Sequence, residues 1–421
     1  MPKVILAINA GSSSVKVSVF SYDSSTSDPK ELAVIQVAGL TAPPATLKYD
    51  RGDQHVKSQE LPDVSGQEGA YEYILKHLTS DAGLTELRTP DDIDFACHRV
   101  VHGGDYDKPT RIDRDTYHHL EELSDLAPLH NAGALTIVRA VHEKCPKATN
   151  VAFFDNAFHA TLPLAARTYM IDPTRAKQNK LRKYGFHGLS YAFITRAVAT
   201  ALSKPAGQLN LIALHLGSGA SACCIQDGKS IGTSMGLTPL AGLPGATRSG
   251  DVDPSLIFHF THEAGKLSPK SSGSMHITQA EQILNKESGW QALTGTTDFG
   301  MITSKAEQGD EMCKLAFDIF VDRICDFVAA YYVKMGGKVD ALVFAGGIGE
   351  KGVQLRQAIV GRLGCLGFEL DDGANAAPAD EVVAEVGAKG SRHRVLICQT
   401  DEQTEMAREC AQEAEKLRRP N

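Results

Sequence analysis

No basic block interrupts this chain, no CxxC pair occurs, and no apolar run near its start could cross a membrane. Each absence excludes a class of protein. The net charge of −8 is spread along 421 residues, so a row of nucleic-acid phosphates finds nothing to neutralise it, and nucleic acid is not an expected partner. Nine cysteines are an odd number without disulfide-framework or zinc-ribbon spacing, which fits a reducing cytoplasm. Val4 to Ile8 is the apolar stretch before Asn9, far short of a secretory core or a membrane span, so cytoplasmic residence without a membrane partner is expected. The GxxxxGK[ST] loop is missing too, which disfavours an ordinary P-loop NTPase.

What is present is an ordinary globular composition, 42% hydrophobic and 22% charged, in a chain long enough for two domains. Val4 to Ile8 and Val15 to Phe20 read as strands flanking the small-residue turn Asn9 to Ser14, whose glycine and short side chains leave backbone amides open. Almost half a chain later the same grammar returns. Leu211 to Leu216 leads into Gly217-Ser218-Gly219-Ala220-Ser221 and then the strand-like Ala222 to Ile225, and Gly347-Ile348-Gly349-Glu350 adds a third glycine-rich segment. Two such units predict an α/β protein of two similar, duplicated domains, each presenting one turn to a shared cleft.

Ser190 to Leu202 and Glu311 to Met335 read as helices, and Ala341 to Ala345 as a buried strand. Cys223 and Cys224 are expected on opposite faces of one strand. Ser24 to Gly69 reads as surface elaboration in which Leu32 to Val37 forms a strand. Thr400 with Gln403 three residues on suggests a capping box opening a last helix towards Arg418, with Asp401 and Glu402 in its first turn. A terminal helix that returns to the amino-terminal domain would put Glu402 at the domain junction.

Phosphoryl transfer needs donors around the moving group, a cation, and a positioned acceptor. Arg99, within His98 to Gly104, and Arg248, within Gly245 to Gly250, sit in apolar or glycine-rich surroundings where a guanidinium needs an anionic partner. A solvated arginine is the commoner outcome at either position. His98 and His102 have no third soft ligand nearby and read as structural. His187, between Gly185-Phe186 and Gly188, could serve either purpose. Asp298-Phe299-Gly300 matches a protein-kinase metal triplet without the HRD or VAIK partners, and reads as a chance match.

Together these segments resemble the acetate kinase family, within the superfamily of sugar kinases, heat-shock chaperones and actin. Its motifs are Asn9 to Lys16, His98 to Gly104, Ala127 to Asn131, Asp155 with Phe158-His159, Tyr184 to Gly188, His215 to Gly217, Ser234 to Gly236 through Asp253-Pro254, Gly347 to Glu350, and Thr400 to Glu402. The resemblance implies actin-like ATPase domains, 1–155 with 400–421 and a nucleotide-binding 156–399. It implies reversible in-line transfer between ATP and acetate, giving ADP and acetyl phosphate, with Mg2+ or in its place Mn2+, by a homodimer. Arg99, Asp155, His187 and Arg248 would be catalytic. Asn9, Ser12, Ser14, Lys16, His215, Gly217, Ser218 and Gly219 would hold phosphates; Asp298, Phe299, Gly300, Gly347, Ile348, Gly349 and Glu350 would surround the nucleotide. Glu402 and Asn9 would hold the metal, and Val101, Leu129, Phe186 and Pro239, with Arg99 and Arg248, the acid.

Three positions depart from the usual family pattern: Ser218 for asparagine, Gly300 for arginine and Lys351 for asparagine. They imply looser or less base-selective nucleotide binding. The small Gly347 to Gly349 segment argues for room for adenosine against a pyrophosphate-dependent relative. A propionate or butyrate kinase, and an actin-like or chaperone-like conformational ATPase, are the alternatives; the paired arginines favour an acyl acceptor over the latter.

Overall fold

A computed structural model of the chain describes residues 3–11, 13–23, 28–123, 128–260, 266–268 and 278–418, without the side chains of 128–130 and 260. The chain separates into two compact units, Met1–Ala157 with Asp401–Asn421, and Phe158–Thr400. Among the described residues no helix is long and apolar enough to cross a membrane.

The first unit is built on an eight-stranded sheet: β1 (Lys3–Ala10), β2 (Ser14–Tyr22), β3 (Lys30–Ala38), β4 (Ala45–Arg51), β5 (Gln54–Leu61), β6 (Ile93–Val100), β7 (Thr110–Arg111) and β8 (Thr149–Phe154). Their spatial order is β5-β4-β3-β2-β1-β6-β8-β7. The second unit holds β9 (Leu211–Leu216), β10 (Ala220–Gln226), β11 (Lys229–Thr233), β12 (Ala341–Ala345), β13 (Val383–Glu385) and β14 (Arg394–Cys398), in the order β11-β10-β9-β12-β14-β13.

The duplication is plain in the pairing. In the first sheet β1 and β2 are antiparallel, β2 and β3 antiparallel, and β1, β6 and β8 successively parallel. In the second, β9, β10, β11, β12 and β14 repeat every one of those relations. The helix Gly188–Ala201, which follows β8, packs on the second unit's β9, β13 and β14, while the helix Glu402–Arg418, which follows β14, packs on the first unit's β1, β2, β6 and β8. Each repeat therefore ends in a helix that covers the other repeat's sheet.

Period-two burial explains the strands. Val4, Leu6 and Ile8 point into one core with Val15, Val17, Val19 and the Tyr71, Ile74 and Leu78 face of the helix Gly66–Ser80. Each such aliphatic side chain contributes about 1.5–3 kcal/mol on full burial. Cys224 belongs to the core on one face of β10 and Cys223 to the core on the other, as strand alternation requires.

Three elements differ from the sequence reading. Leu32 to Val37 lies within β3 as expected, but the rest of the stretch read as surface elaboration adds two further strands, β4 and β5, which extend the edge of the sheet. In β4 Ala45, Leu47 and Tyr49 are buried while Lys48 and Asp50 face solvent, and β5 is mostly exposed; this one-sided burial is why the stretch looks polar. The last helix begins at Glu402, and its cap is Asp401, whose Oδ1 accepts from the N–H of Gln403 and Thr404, both at 3.0 Å. Thr400 Oγ1 is instead bonded to Ser190 Oγ at 2.9 Å, and Gln403 Nε2 donates to the Ala7 carbonyl at 2.9 Å. Finally, the third glycine-rich segment, which the sequence reading assigned to no element, lies in a short helix, Gly346–Lys351.

Candidate active site

The first unit supplies a buried ion cluster. Arg99 emerges near the end of β6, beside the end of β8, because the two strands run parallel with Arg99 opposite Phe153. Its Nε and Nη2 donate to Asp155 Oδ1 and Oδ2 at 2.9 and 2.7 Å, a bidentate fork, and its Nη1 donates to Glu402 Oε2 at 3.0 Å. Burial alone would lower the guanidinium's pKa, but Asp155 and Glu402 outweigh it and hold the group above its ordinary value. Glu402 is pushed up by burial, against the downward pull of Arg99 and Lys16. One guanidinium facing two carboxylates leaves a net negative charge, a setting suited to a divalent cation. Among the described residues no cluster of three or more His, Cys, Asp or Glu forms a protein-only metal cage.

Asn9 and Lys16 are cross-strand partners at the mouth of the β1–β2 hairpin, which closes through a bond from the Gly11 N–H to the Ser14 carbonyl at 2.8 Å. Ser14 opens β2, and Ser12 lies outside the described residues, as does the side chain of Leu129. The loop after β6, which carries half-buried Val101, is clamped by two asparagines. Asn131 accepts from the His102 N–H at 3.0 Å and donates to the His102 carbonyl at 2.9 Å; Asn156 accepts from the Gly103 N–H at 2.6 Å and donates to the Gly104 carbonyl at 2.9 Å. His98 is buried, bonded through Nε2 to Asn150 Oδ1 at 2.7 Å, and burial pulls its pKa down to about 4, so it is a neutral structural group.

In the second unit His187 and Arg248 meet over the second glycine-serine turn. A Cβ placed on Gly219 would lie 2.9 Å from Arg248 Nη1 and 3.8 Å from His187 Nε2, so only glycine leaves both groups facing bare backbone. His187 takes a left-handed conformation, φ +58°, which few side chains tolerate, and it caps the helix Gly188–Ala201. His159 fixes the preceding residue, donating from Nε2 to the Phe186 carbonyl at 2.9 Å. The imidazole itself is held by Ser221 Oγ, 2.8 Å from Nδ1, and Ser221 is held in turn by the Tyr191 hydroxyl at 2.5 Å. His215 lies alongside with ring centroids 4.2 Å apart, and its Nδ1 is bonded to Ser190 Oγ at 2.8 Å. The Arg248 loop is stitched to the turn: the Ala246 N–H donates to the Ser218 carbonyl at 2.8 Å, and a Cβ on Gly245 would come within 2.7 Å of that same oxygen.

Next to this turn is a cavity of about 590 Å³ lined by Ser218, Asp298, Phe299, Gly300, Gly347 and Ile348, with Lys351, Glu307 and Gln354 on its walls. Its volume suits a nucleotide-sized ligand. Asp298 caps the helix Phe299–Glu307, accepting from Gly300 and Met301 N–H at 2.9 and 3.1 Å, while Phe299 packs into the core against Trp290 and Phe320. The chance match to the kinase triplet thus has a structural explanation. Below the cavity, the fully buried Arg356 donates to the carbonyls of Gly349 and Glu350 at 2.7 and 2.9 Å, fixing the short helix. The Glu350 carboxylate accepts from the Thr400 N–H at 3.4 Å, and burial raises its pKa.

A family profile, that of the acetokinase family, matches residues 4–408. The chain belongs to the acetokinase family. A probable acetate kinase of Emericella nidulans is 54% identical over 412 residues, 97% of each chain. Among solved structures, a propionate kinase from Francisella tularensis superimposes with a TM-score of 0.84 at 32% identity, covering 97% of this chain and 98% of its own. Porphyromonas gingivalis acetate kinase gives 0.79 at 30%, covering 96% and 98%.

In this acetokinase the singled-out residues fall into three groups. Arg99, Asp155 and Glu402 form one; His187, Arg248, His215 and Gly219 another; Ser218, Gly300, Gly347 and Ile348 the third. Val101 belongs to the first unit, and buried Phe186 and Pro239 to the second. Sequence reasoning missed Ser221, Tyr191 and Asn156. A signal for Ser221 existed, since a tight β9–β10 hairpin sets it directly opposite His215, two polar residues in otherwise apolar strands.

Proposed function

We propose that this acetokinase catalyses reversible transfer of a phosphoryl group between ATP and acetate. An acetate oxygen attacks the γ-phosphorus as the bond to the bridging oxygen of ADP breaks, giving acetyl phosphate without a covalent enzyme intermediate. The observation that carries this reading is the convergence of Arg248 Nη1 and His187 Nε2 over the bare backbone of Gly219. Two donors fixed before the reaction can stabilise equatorial oxygens of an in-line transition state. Tyr191 remains protonated because burial raises its pKa, so its hydroxyl can donate to Ser221, and Ser221 to His187 Nδ1. That order leaves Nε2–H to donate to the phosphoryl group.

Arg99 has N–H groups beyond the three taken by Asp155 and Glu402, and these would hold the acetate carboxylate. Asp155 then acts by aiming Arg99. Asn9, Ser12, Ser14, Lys16, His215, Gly217, Ser218 and Gly219 would line the phosphates, with the base and ribose against Asp298 to Gly300 and Gly347 to Glu350. Val101, Leu129, Phe186 and Pro239 would enclose the methyl group. Glu402 and Asn9 fit Mg2+, or Mn2+, because such a cation takes one or two carboxylates together with substrate phosphates; when bound it neutralises phosphate charge.

Trapping acetyl phosphate with hydroxylamine, using ATP, GTP or pyrophosphate as donor, tests donor and acceptor together. Hydroxamate no greater than that of an Arg248→Ala control would overturn the reading. The propionate kinase neighbour favours a second acid. Because one methylene is worth about 1–3 kcal/mol in such a pocket, propionate is expected to react, but more slowly than acetate. The same reading places the enzyme in the cytoplasm as a homodimer. Nine free cysteines support the reducing compartment, and light scattering measures the oligomer.

A further inference from the structure

The first unit contains another cavity, of about 390 Å³, between the helices Arg114–Leu123 and Pro128–Lys144 and the strand β8. Nothing in the phosphoryl-transfer chemistry uses it. Ile112, Val138 and Tyr117 give it apolar surface. Asn150 lines it from β8 and is only 7% exposed. The Oδ1 of Asn150 is taken by His98, which leaves the amide N–H2 with no acceptor among the described residues. That nitrogen is not among the fully buried unpartnered atoms, so it keeps accessible surface from which a ligand acceptor in the cavity can take its N–H groups.

Charge points the same way. Arg114 and Arg139 both line the cavity, and neither makes an ion pair among the described residues. Guanidinium groups stay charged at any working pH and favour planar or tetrahedral oxyanions. His142 adds a third nitrogen centre. Of the two carboxylates present, Asp113 is committed locally, its Oδ1 accepting from the Thr116 N–H at 2.8 Å, and Glu143 is on an exposed position. The donors therefore remain available while half of the competing negative charge is engaged.

We propose that this cavity is a second ligand site, for an organic anion carrying an apolar or aromatic body. The oxyanion takes the Asn150 amide and the arginines, and the body lies on Ile112, Val138 and Tyr117.

The probe is 1-anilinonaphthalene-8-sulfonate, a sulfonate on an aromatic body, titrated by fluorescence into the full chain with and without saturating ADP and acetate. Saturable binding of one molecule per chain is expected, unchanged by ADP and acetate. Arg139→Ala and Asn150→Leu are each expected to weaken it about tenfold, the effect of losing one hydrogen bond to a charged group. Arg139 is exposed, so its variant keeps the test valid should loss of Asn150 disturb folding. Displacement by ADP, or equal affinity in wild type and the Arg139→Ala variant, would overturn the proposal.

Discussion

Single side chains in this protein differ in what they would cost the enzyme. Arg248→Ala removes one fixed donor from the proposed transition state. It is expected to lower kcat about 10²–10³-fold, with little change in melting temperature, as read by hydroxamate assay and calorimetry. His187 carries an additional backbone demand, because at φ +58° asparagine is tolerated better than alanine. His187→Asn should therefore keep more thermal stability than His187→Ala while both lose activity. Gly300 offers the converse experiment. A Cβ there would meet only Asp298 Oδ1 at 3.2 Å, so Gly300→Arg, restoring the usual family residue, should fold and lower KM for ATP severalfold without altering KM for acetate.

His98 predicts a pH dependence of stability. Its folded pKa, about 4, is below its ordinary value, so the unfolded chain binds the proton more readily. The contribution is complete above pH ~6.5 and lost as pH falls towards ~4, amounting to about 3 kcal/mol for such a shift. His98→Gln, which retains a donor for Asn150, should flatten that acid limb in urea melts. Arg99 shows the limit of sequence at this scale. Its setting announces the need for an anionic partner, but the partners stand 56 and 303 residues away and nothing local names them.

Secondary-structure elements explain how those side chains come to be held still. The loop after β6 depends on Asn131, which satisfies both the N–H and the carbonyl of His102 in a buried setting. Asn131→Ala orphans both groups and should destabilise the chain by about 2–4 kcal/mol, measured by denaturant midpoint, with KM for acetate rising because Val101 rides on that loop. The terminal helix is strongly polar yet docks through Met406, Ala407, Cys410 and Leu417, and it delivers Glu402 to Arg99. Its existence was legible in the sequence. Its cap was not, since Thr400 and Asp401 are both good caps and the bond from Ser190 to Thr400 decides between them. Strands β4 and β5 were hidden for a similar reason: an edge pair with one wet face has too few apolar residues to announce itself.

Across the whole molecule, the two units share a strand topology and exchange their final helices, so neither repeat completes its sheet from its own continuous chain. The proposed chemistry draws on groups from both. A transition-state mimic of MgADP, a planar anion and acetate is therefore expected to reduce the radius of gyration in small-angle scattering, and an unchanged profile would count against that expectation. The sequence by itself determined the duplicated α/β plan, and it singled out the glycine-rich turns, the arginines and the histidine from which the proposed site is built. Those are carried by hydrophobic period, glycine placement and contiguous motifs, all of which are local. Only the tertiary structure decided which carboxylates aim Arg99, how Ser221 and Tyr191 hold His187, and what lines the cavities. Most of those contacts join residues far apart in the chain, brought together by strand pairing and helix packing, and for these no local pattern exists to read.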